Sequence, residues 1–378
     1  MSGTKNINEG KSATSSRAGH FRLIIAGGGT GGHIFPAIAI ANAIKQLMPA
    51  AEILFVGASD RMEMQRVPQA GYNIKGIDIA GFNRSSLFKN ISLPFKLIKS
   101  FFQVRNIIGS FKPDAVVGVG GYSSFPVLRV AQRRGIPTYI HESNSFAGKS
   151  NMLLGKRATK IFVASEGMEK FFPADKIVVT GNPVRKTIAK STVTREEALH
   201  FFGLQENKKT ILAVGGSLGA KSINEVMAQH VLDIHQLGLQ LIWQTGKATA
   251  SAYIERGKAL ECVWVSEFIT DMDKAYAAAD VVISRSGAMS VAELCVTGKP
   301  VIFVPYPFAA EDHQTVNAKR LVDKDAAAMV KDSDAPGKLF GAITDLVFNE
   351  AKQEKFKKNI SALALRDADV RIAEEILR

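Results

Sequence analysis

Short apolar runs, glycine-rich loops and longer stretches with apolar residues at helical spacing follow one another along most of the chain. The first unit sets the pattern. Leu23-Ile24-Ile25-Ala26 reads as a strand, Gly27–Gly32 holds five glycines in six positions, and a helix is predicted to start near Pro36 and continue through Ala37–Ile44. Glu52–Gly57 is a second strand, so the unit is a βαβ crossover of a parallel sheet. A helix over Arg61–Ala70 and a strand over Asn73–Ile79 come next. Asp114–Val119 then runs into a second glycine loop at Gly120–Ser124. Strands are also predicted at Ile136–Asn144, ending in four polar residues, at Lys160–Ala164 and from Ile177 towards Arg185.

Polar Lys186–Glu197 reads as a boundary, after which Thr210–Val214 and Gly215–Ser222 repeat the opening design roughly 190 residues downstream. Strands at Gln240–Gln244, Val263–Val265, Val281–Ser284 and Pro300–Pro305 and a helical tail from about Lys352 complete the second half. The prediction is α/β, with two similar doubly wound parallel-sheet domains at residues 21–185 and 186–361 and a last helix, about 362–378, packed back on the first. A length of 378 residues agrees, since single cores rarely exceed ~250–300 residues. Ligands of such sheets sit at the carboxyl ends of the strands, so Gly27–His33, Gly120–Ser124 and His141–Asn144 are expected to line one crevice.

Composition changes this picture little: 46% apolar and 22% charged residues are ordinary for a globular chain. Residues 1–20 are polar, without the apolar core of a signal peptide, and read as a disordered tail. Cys262 and Cys295 sit in apolar segments and read as buried free thiols of a reducing compartment. No apolar run approaches the roughly 18–20 residues that cross a bilayer.

The net charge of +13 does change the picture. Between Gly81 and Pro113 there are six basic residues and no acidic one, interleaved with Phe88, Phe95, Phe101, Phe102 and other apolar residues. A helix is predicted from Pro94, with Lys96, Lys99, Gln103 and Asn106 on one face. Either this is a covering helix with a solvated face, or it is a basic, aromatic patch for an anionic membrane surface. Nucleic acid fits less well, because the aromatics form an apolar block rather than a spaced stacking platform.

The glycine loops carry the candidate chemistry. Gly27–Gly32 lets the backbone approach an anion, and His33 at its end is the side chain able to take a proton near neutral pH. Gly27-x-Gly29-x-x-Gly32 formally satisfies the dinucleotide fingerprint, but the second strand ends Phe55-Val56-Gly57, without the acid that would hold a ribose. Gly215–Ser222 falls short of a P-loop because Ala220 precedes Lys221. Val281–Leu294 delivers Ser284-Arg285-Ser286-Gly287 to a helix start whose amides suit phosphate oxygens, with Glu293 one to two turns in, near enough to accept from sugar hydroxyls. Asp312-His313-Gln314 and Asn317 are placed at the same rim.

Together with Gly181-Asn182-Pro183-Val184-Arg185, these motifs in this order resemble the MurG family, the undecaprenyldiphospho-muramoylpentapeptide β-N-acetylglucosaminyltransferases of glycosyltransferase family 28, from about Phe21 to the C-terminus. The resemblance implies a GT-B fold, two Rossmann-like domains facing across a cleft. It implies inverting transfer of GlcNAc from UDP-GlcNAc to the C4 hydroxyl of MurNAc in lipid I, giving lipid II for peptidoglycan, at the cytoplasmic face of the cell membrane. It assigns UDP-GlcNAc to Ser217, Ile269, Ala288, Met289, Ser290, Glu293 and Gln314, with Asn144 and Arg185 across the cleft and Thr30, Gly31 and Gly32 near the sugar. Gly29, Gly120, Gly121 and Tyr122 are expected at the acceptor diphosphate. The Phe-rich basic stretch, with Phe88, Phe95, Lys96, Lys99, Phe101 and Phe102, matches the membrane-facing region. Ser143 stands where Gln is common in the asparagine motif.

His33 is the candidate base for the acceptor hydroxyl and Glu142 its rival. No metal site and no obligatory cofactor is expected, a divalent cation being at most stimulatory. Two alternatives share the donor: a UDP-GlcNAc 2-epimerase, which has no use for a lipid-facing patch, and a non-catalytic sugar-nucleotide-binding module.

Overall fold

In the computed structural model, residues 20–80, 93–247 and 250–378 are described. The expected tail, apart from His20, and Phe88 lie outside them. The first domain is a seven-stranded parallel sheet of β1 (Arg22–Ala26), β2 (Glu52–Ala58), β3 (Asn73–Ile77), β4 (Ala115–Gly118), β5 (Thr138–Glu142), β6 (Lys160–Val163) and β7 (Ile177–Val179), in the order β3-β2-β1-β4-β5-β6-β7. Its helices are α1 (Gly31–Leu47), α2 (Glu63–Gln69), α3 (Leu93–Phe111), α4 (Ser124–Arg133) and α5 (Lys149–Gly155).

The second domain repeats the plan with six parallel strands: β8 (Thr210–Val214), β9 (Gln240–Gln244), β10 (Val263–Ser266), β11 (Val281–Ser284), β12 (Val301–Phe303) and β13 (Ala328–Met329), ordered β10-β9-β8-β11-β12-β13. Around it lie α6 (Lys186–Ala189), α7 (Arg195–Phe202), α8 (Lys221–Gln229), α9 (Val231–Gln236), α10 (Ala250–Lys258), α11 (Met272–Ala278), α12 (Ala288–Thr297), α13 (His313–Val322), α14 (Ala335–Phe348) and α15 (Glu350–Ala362). The strand order reverses beside β1 in one sheet and β8 in the other. A crevice opens at each reversal, because the connections leave on opposite faces. The loops after β1 and β4, and those after β8 and β11, therefore face each other in pairs.

The boundary after Arg185 has a local cause. Thr194 and Glu197 form a reciprocal capping box that starts α7, and Gly203 in the left-handed region ends it. Val184 and Ile188 already pack with Ala198 and Leu199 in the second core. The chain then returns. After α15, Arg366 donates to the Val296 carbonyl at 3.1 Å, and α16 (Ala368–Leu377) lays Ile372, Ala373 and Ile376 against Ile40, Ala43 and Ile44 of α1.

Two expectations are corrected. The first helix begins at Gly31, not near Pro36, so Gly31, Gly32 and His33 form its first turn, and the His33 amide donates to the Thr30 carbonyl at 3.1 Å. On α3, Lys99 and Gln103 turn to the Asp78 carboxylate, at 2.7 and 3.0 Å, at the end of β3. The outward face there is apolar, with Phe95 74%, Ile98 56% and Phe102 66% exposed, while Phe101 is partly buried.

The return of α16 is a packing interaction and should behave as one. Replacing fully buried Ile372 by Ala is expected to destabilise the first domain by about 2–4 kcal/mol in urea unfolding, as cavity-forming substitutions do.

Candidate active site

At the first crevice, the backbone from β1 is held from several sides. The Gly28 amide donates to the Gly120 carbonyl at 3.3 Å, and the Gly28 carbonyl accepts from His33 Nδ1 at 3.0 Å. A carbonyl can only accept, so Nδ1 carries the proton and Nε2 keeps its lone pair. The imidazole lies so close to Gly120 that a Cβ there would sit 2.7 Å from Nε2. Gly121 is wedged as tightly: its Cβ would meet the Gly28 oxygen at 2.4 Å, and its φ of +86° suits glycine alone. Ser124 closes the crevice by donating to the carbonyls of Ala26 (2.8 Å) and Gly120 (2.9 Å).

The His33 pKa is lowered, chiefly by burial, against the opposing pull of the Gly28 hydrogen bond and of the Glu142 and Glu63 charges. Glu63, on α2, was not singled out in the sequence. Its buried carboxylate accepts from the amides of Gly29 (2.8 Å) and Ala58 (3.0 Å). This corrects the expectation for Gly29: its N–H is turned to Glu63 rather than to an acceptor diphosphate.

Glu142 is buried and accepts from the amides of Asn144 and Gly148, both at 3.1 Å, and from Nδ2 of Asn151 at 2.8 Å. Both its oxygens hold the loop that follows β5. His141 beside it is buried, and desolvation takes its pKa down to about 4. Tyr122 stands half exposed at the crevice rim.

The second crevice presents the start of α12. Gly287 is its N-cap, and the amides of Ala288, Met289 and Ser290 occupy the first turn. The Ser286 hydroxyl is turned away, donating to the Gln314 carbonyl at 2.8 Å. Glu293, one turn further on, is buried. One oxygen accepts from Arg185 Nη2 at 3.2 Å, the other from the Tyr276 hydroxyl at 3.0 Å. Burial raises the Glu293 pKa, and the Arg185 charge and the Tyr276 hydrogen bond oppose the rise. Two residues missed in the sequence complete this side. Tyr276 orients Glu293, and Gln244 ties the glycine loop to Ile269, donating to the Gly216 carbonyl and accepting from the Ile269 amide, each at 3.0 Å. Gln244 ends a segment read only as a strand, Tyr276 lies in a segment given no reading, and spacing carries no sign of either contact. Ser217 is exposed on that loop, and Gln314 Oε1 accepts from the Tyr306 amide at 3.0 Å. Lys221 points to solvent and pairs with Glu225, away from a P-loop lysine's position.

The two crevices meet. Asn182 Nδ2 donates to the carbonyls of Ser143 (3.0 Å) and Ala288 (3.3 Å), linking the domains. The Arg185 guanidinium lies 4.9 Å from the ring centre of Phe35 on α1. Thr30, Gly31 and Gly32 at the start of α1 thus come within the same cleft as the start of α12. Among the described residues, no group of three or more His, Cys, Asp or Glu is arranged to hold a metal ion.

Residues 23–163 match the N-terminal domain of glycosyltransferase family 28, and residues 210–372 match its C-terminal domain. The chain belongs to this family. A relative in Parabacteroides distasonis, named UDP-N-acetylglucosamine–N-acetylmuramyl-(pentapeptide) pyrophosphoryl-undecaprenol N-acetylglucosamine transferase, is 52% identical over 361 residues, covering 95% of this chain and 98% of the relative. A Flavobacterium psychrophilum protein of the same name is 49% identical over 95% of this chain and 97% of its own. The crystal structure of Acinetobacter baumannii MurG superposes with a TM-score of 0.74 at 30% identity, covering 95% and 99% of the two chains. The fold is GT-B and the chain is a glycosyltransferase. A Neisseria meningitidis UDP-GlcNAc 2-epimerase bound to UDP-GlcNAc shares the fold alone, with a TM-score of 0.64 at 15% identity over 95% and 99% of the two chains.

The contact of Gly120 with the imidazole sets a test. Gly120→Ala must displace His33, and turnover is expected to fall about 10²-fold, the usual cost of misplacing a catalytic group. The KM for the nucleotide sugar, expected on the other domain, should change little in steady-state assays.

Proposed function

We propose that this glycosyltransferase moves GlcNAc from UDP-GlcNAc to the C4 hydroxyl of MurNAc in lipid I, forming lipid II with inversion. One observation carries the reading. An imidazole fixed in the tautomer that leaves Nε2 free stands on the first domain, across the cleft from a free helix N-terminus and a buried, oriented carboxylate on the second. The curated relatives' names supply the substrates, and this geometry gives each part a chemical task.

The α12 amides and Arg185 take the diphosphate, which develops negative charge as the sugar leaves. Glu293 accepts from the ribose hydroxyls. Such an acceptor suits a diol, and the Tyr276 and Arg185 contacts hold it ready. His33 Nε2 takes the proton from the acceptor hydroxyl as its oxygen attacks the anomeric carbon in line with the departing UDP. Glu142, committed to its loop, leaves this role to His33. Arg185 and the amides supply the neutralising charge, so we propose no obligatory metal; turnover in excess chelator is expected to continue.

The acceptor is lipid-linked, and the exposed Phe95, Ile98 and Phe102 of α3, flanked by Lys96, Arg105, Arg133 and Arg134, form a surface suited to an anionic leaflet. Among the described residues no helix is long and apolar enough to cross a membrane, which fits attachment by this face.

The assay is transfer of radiolabelled GlcNAc from UDP-GlcNAc to a lipid I analogue. His33→Ala should lower kcat by about 10²–10⁴-fold; near-intact turnover removes His33 from the role. Release of UDP-ManNAc without acceptor would instead mark an epimerase. A base must be unprotonated, and the His33 pKa is lowered. The rate should therefore stay level down to pH 6.5 and fall only below it, as the imidazole gains its proton. Replacing Phe95 and Phe102 by Ser should weaken binding to anionic liposomes while leaving UDP affinity unchanged.

A further inference from the structure

Glu63 has no part in the reaction as proposed, yet it sits directly beneath the loop that carries His33. Its carboxyl carbon lies 2.2 Å from where a Cβ on Gly28 would be, and its Cγ 2.5 Å from where one on Gly57 would be. It is 1% exposed, and each oxygen takes one amide: Oε2 that of Gly29, Oε1 that of Ala58 at the end of β2. The carboxylate thus takes one amide of the glycine loop after β1 and one at the end of β2. It also holds the peptide between Gly28 and Gly29, and the carbonyl of that peptide is the one accepting from His33 Nδ1.

We infer that Glu63 is the positioning residue of the base: it clamps the Gly28–Gly29 peptide so that the Gly28 carbonyl faces Nδ1 and selects the tautomer with a free Nε2. The inference rests on the proposed role of His33 for its kinetic consequence only; the tautomer itself is a property of the resting protein. The physical chain is short. A carboxylate accepting two N–H groups makes strong, charge-assisted bonds, and the peptide it fixes has its other face pressed on Gly121. Turning the carbonyl away would break the contacts at both Glu63 and His33.

The test uses the full chain with Glu63→Gln, which keeps shape but presents an NH2 group where one of the two amides must be accepted. The tautomer of His33 is read by ¹⁵N NMR, assigned against His33→Ala, alongside kcat, KM for UDP-GlcNAc and the pH profile. A single Nδ1–H form is expected in the parent and a mixed population in E63Q. E63Q is also expected to lower kcat about 10–100-fold with unchanged KM for UDP-GlcNAc. The acidic limb should move to lower pH, because a negative charge that favours the imidazolium has gone. The inference is overturned if the tautomer, kcat and pH profile of a folded E63Q match the parent, or if kcat and UDP-GlcNAc affinity fall together with thermal stability while the tautomer is unchanged. If His33→Ala keeps full turnover but E63Q still mixes the tautomers, the base assignment fails and the positioning inference stands.

Discussion

The structure depends on how closely three pieces of backbone are packed at the end of β1. Gly28 lies between the Glu63 carboxylate on one side and Gly121 on the other, with Gly120 against the imidazole of His33. A single methyl group on any of these glycines would overlap neighbouring atoms. The glycines are therefore needed for close approach as much as for their dihedral angles. This contact gives a generic parallel-sheet crevice its particular chemistry. It fixes a ring, chooses its protonated nitrogen, and satisfies the loop's own amide with an internal carboxylate.

The second domain uses the same architecture for the opposite purpose. Its corresponding loops are tied back by Gln244 and by the Ser286 hydroxyl, and the start of α12 is left open. One sheet thus presents a loop amide held by a carboxylate and an imidazole with a free Nε2, the other an open helix end and an oriented carboxylate. Duplication of a fold supplied two similar crevices, and side chains from neighbouring helices made them chemically unlike. The division suits the transfer proposed above, in which each substrate meets its own wall of the cleft.

The walls are joined by few but specific contacts. Asn182 bonds both domains, Phe35 of the first lies against Arg185, and α16 crosses back to share the core of α1. The connection is polar near the cleft and apolar at its far end. Polar contacts rearrange with less loss than buried apolar area, so movement between the domains would be accommodated near the substrates while α16 keeps its seat.

Much of this was legible in the chain. Apolar runs, glycine loops and their repetition specify two parallel α/β domains, because a strand buried on both faces must be apolar throughout and a tight strand-to-helix turn must be glycine-rich. The start of α12, Glu293 and His33 stood out because their residue types are unusual beside such loops, and Arg185 through the resemblance of its motif. The helix start at Gly31 was misread, because Pro36 looks like a first-turn residue and glycine is a poor helix former; the tertiary contacts of the loop override both. The two-residue strand β13 was too short to show a period. The face of α3 that meets solvent could not be read either, since it turns on Asp78, a partner outside the helix. Glu63, Tyr276 and Gln244 left no local signal: each acts on a group 17 to 34 residues away in sequence. By itself, then, the sequence determined the two sheets, their loops and the residue types offered at their ends, all set by local periodicity and backbone sterics. Only the tertiary structure decided which carboxylate holds a loop, which faces a substrate and which imidazole nitrogen is free, because hydrogen bonds between distant segments settle those questions.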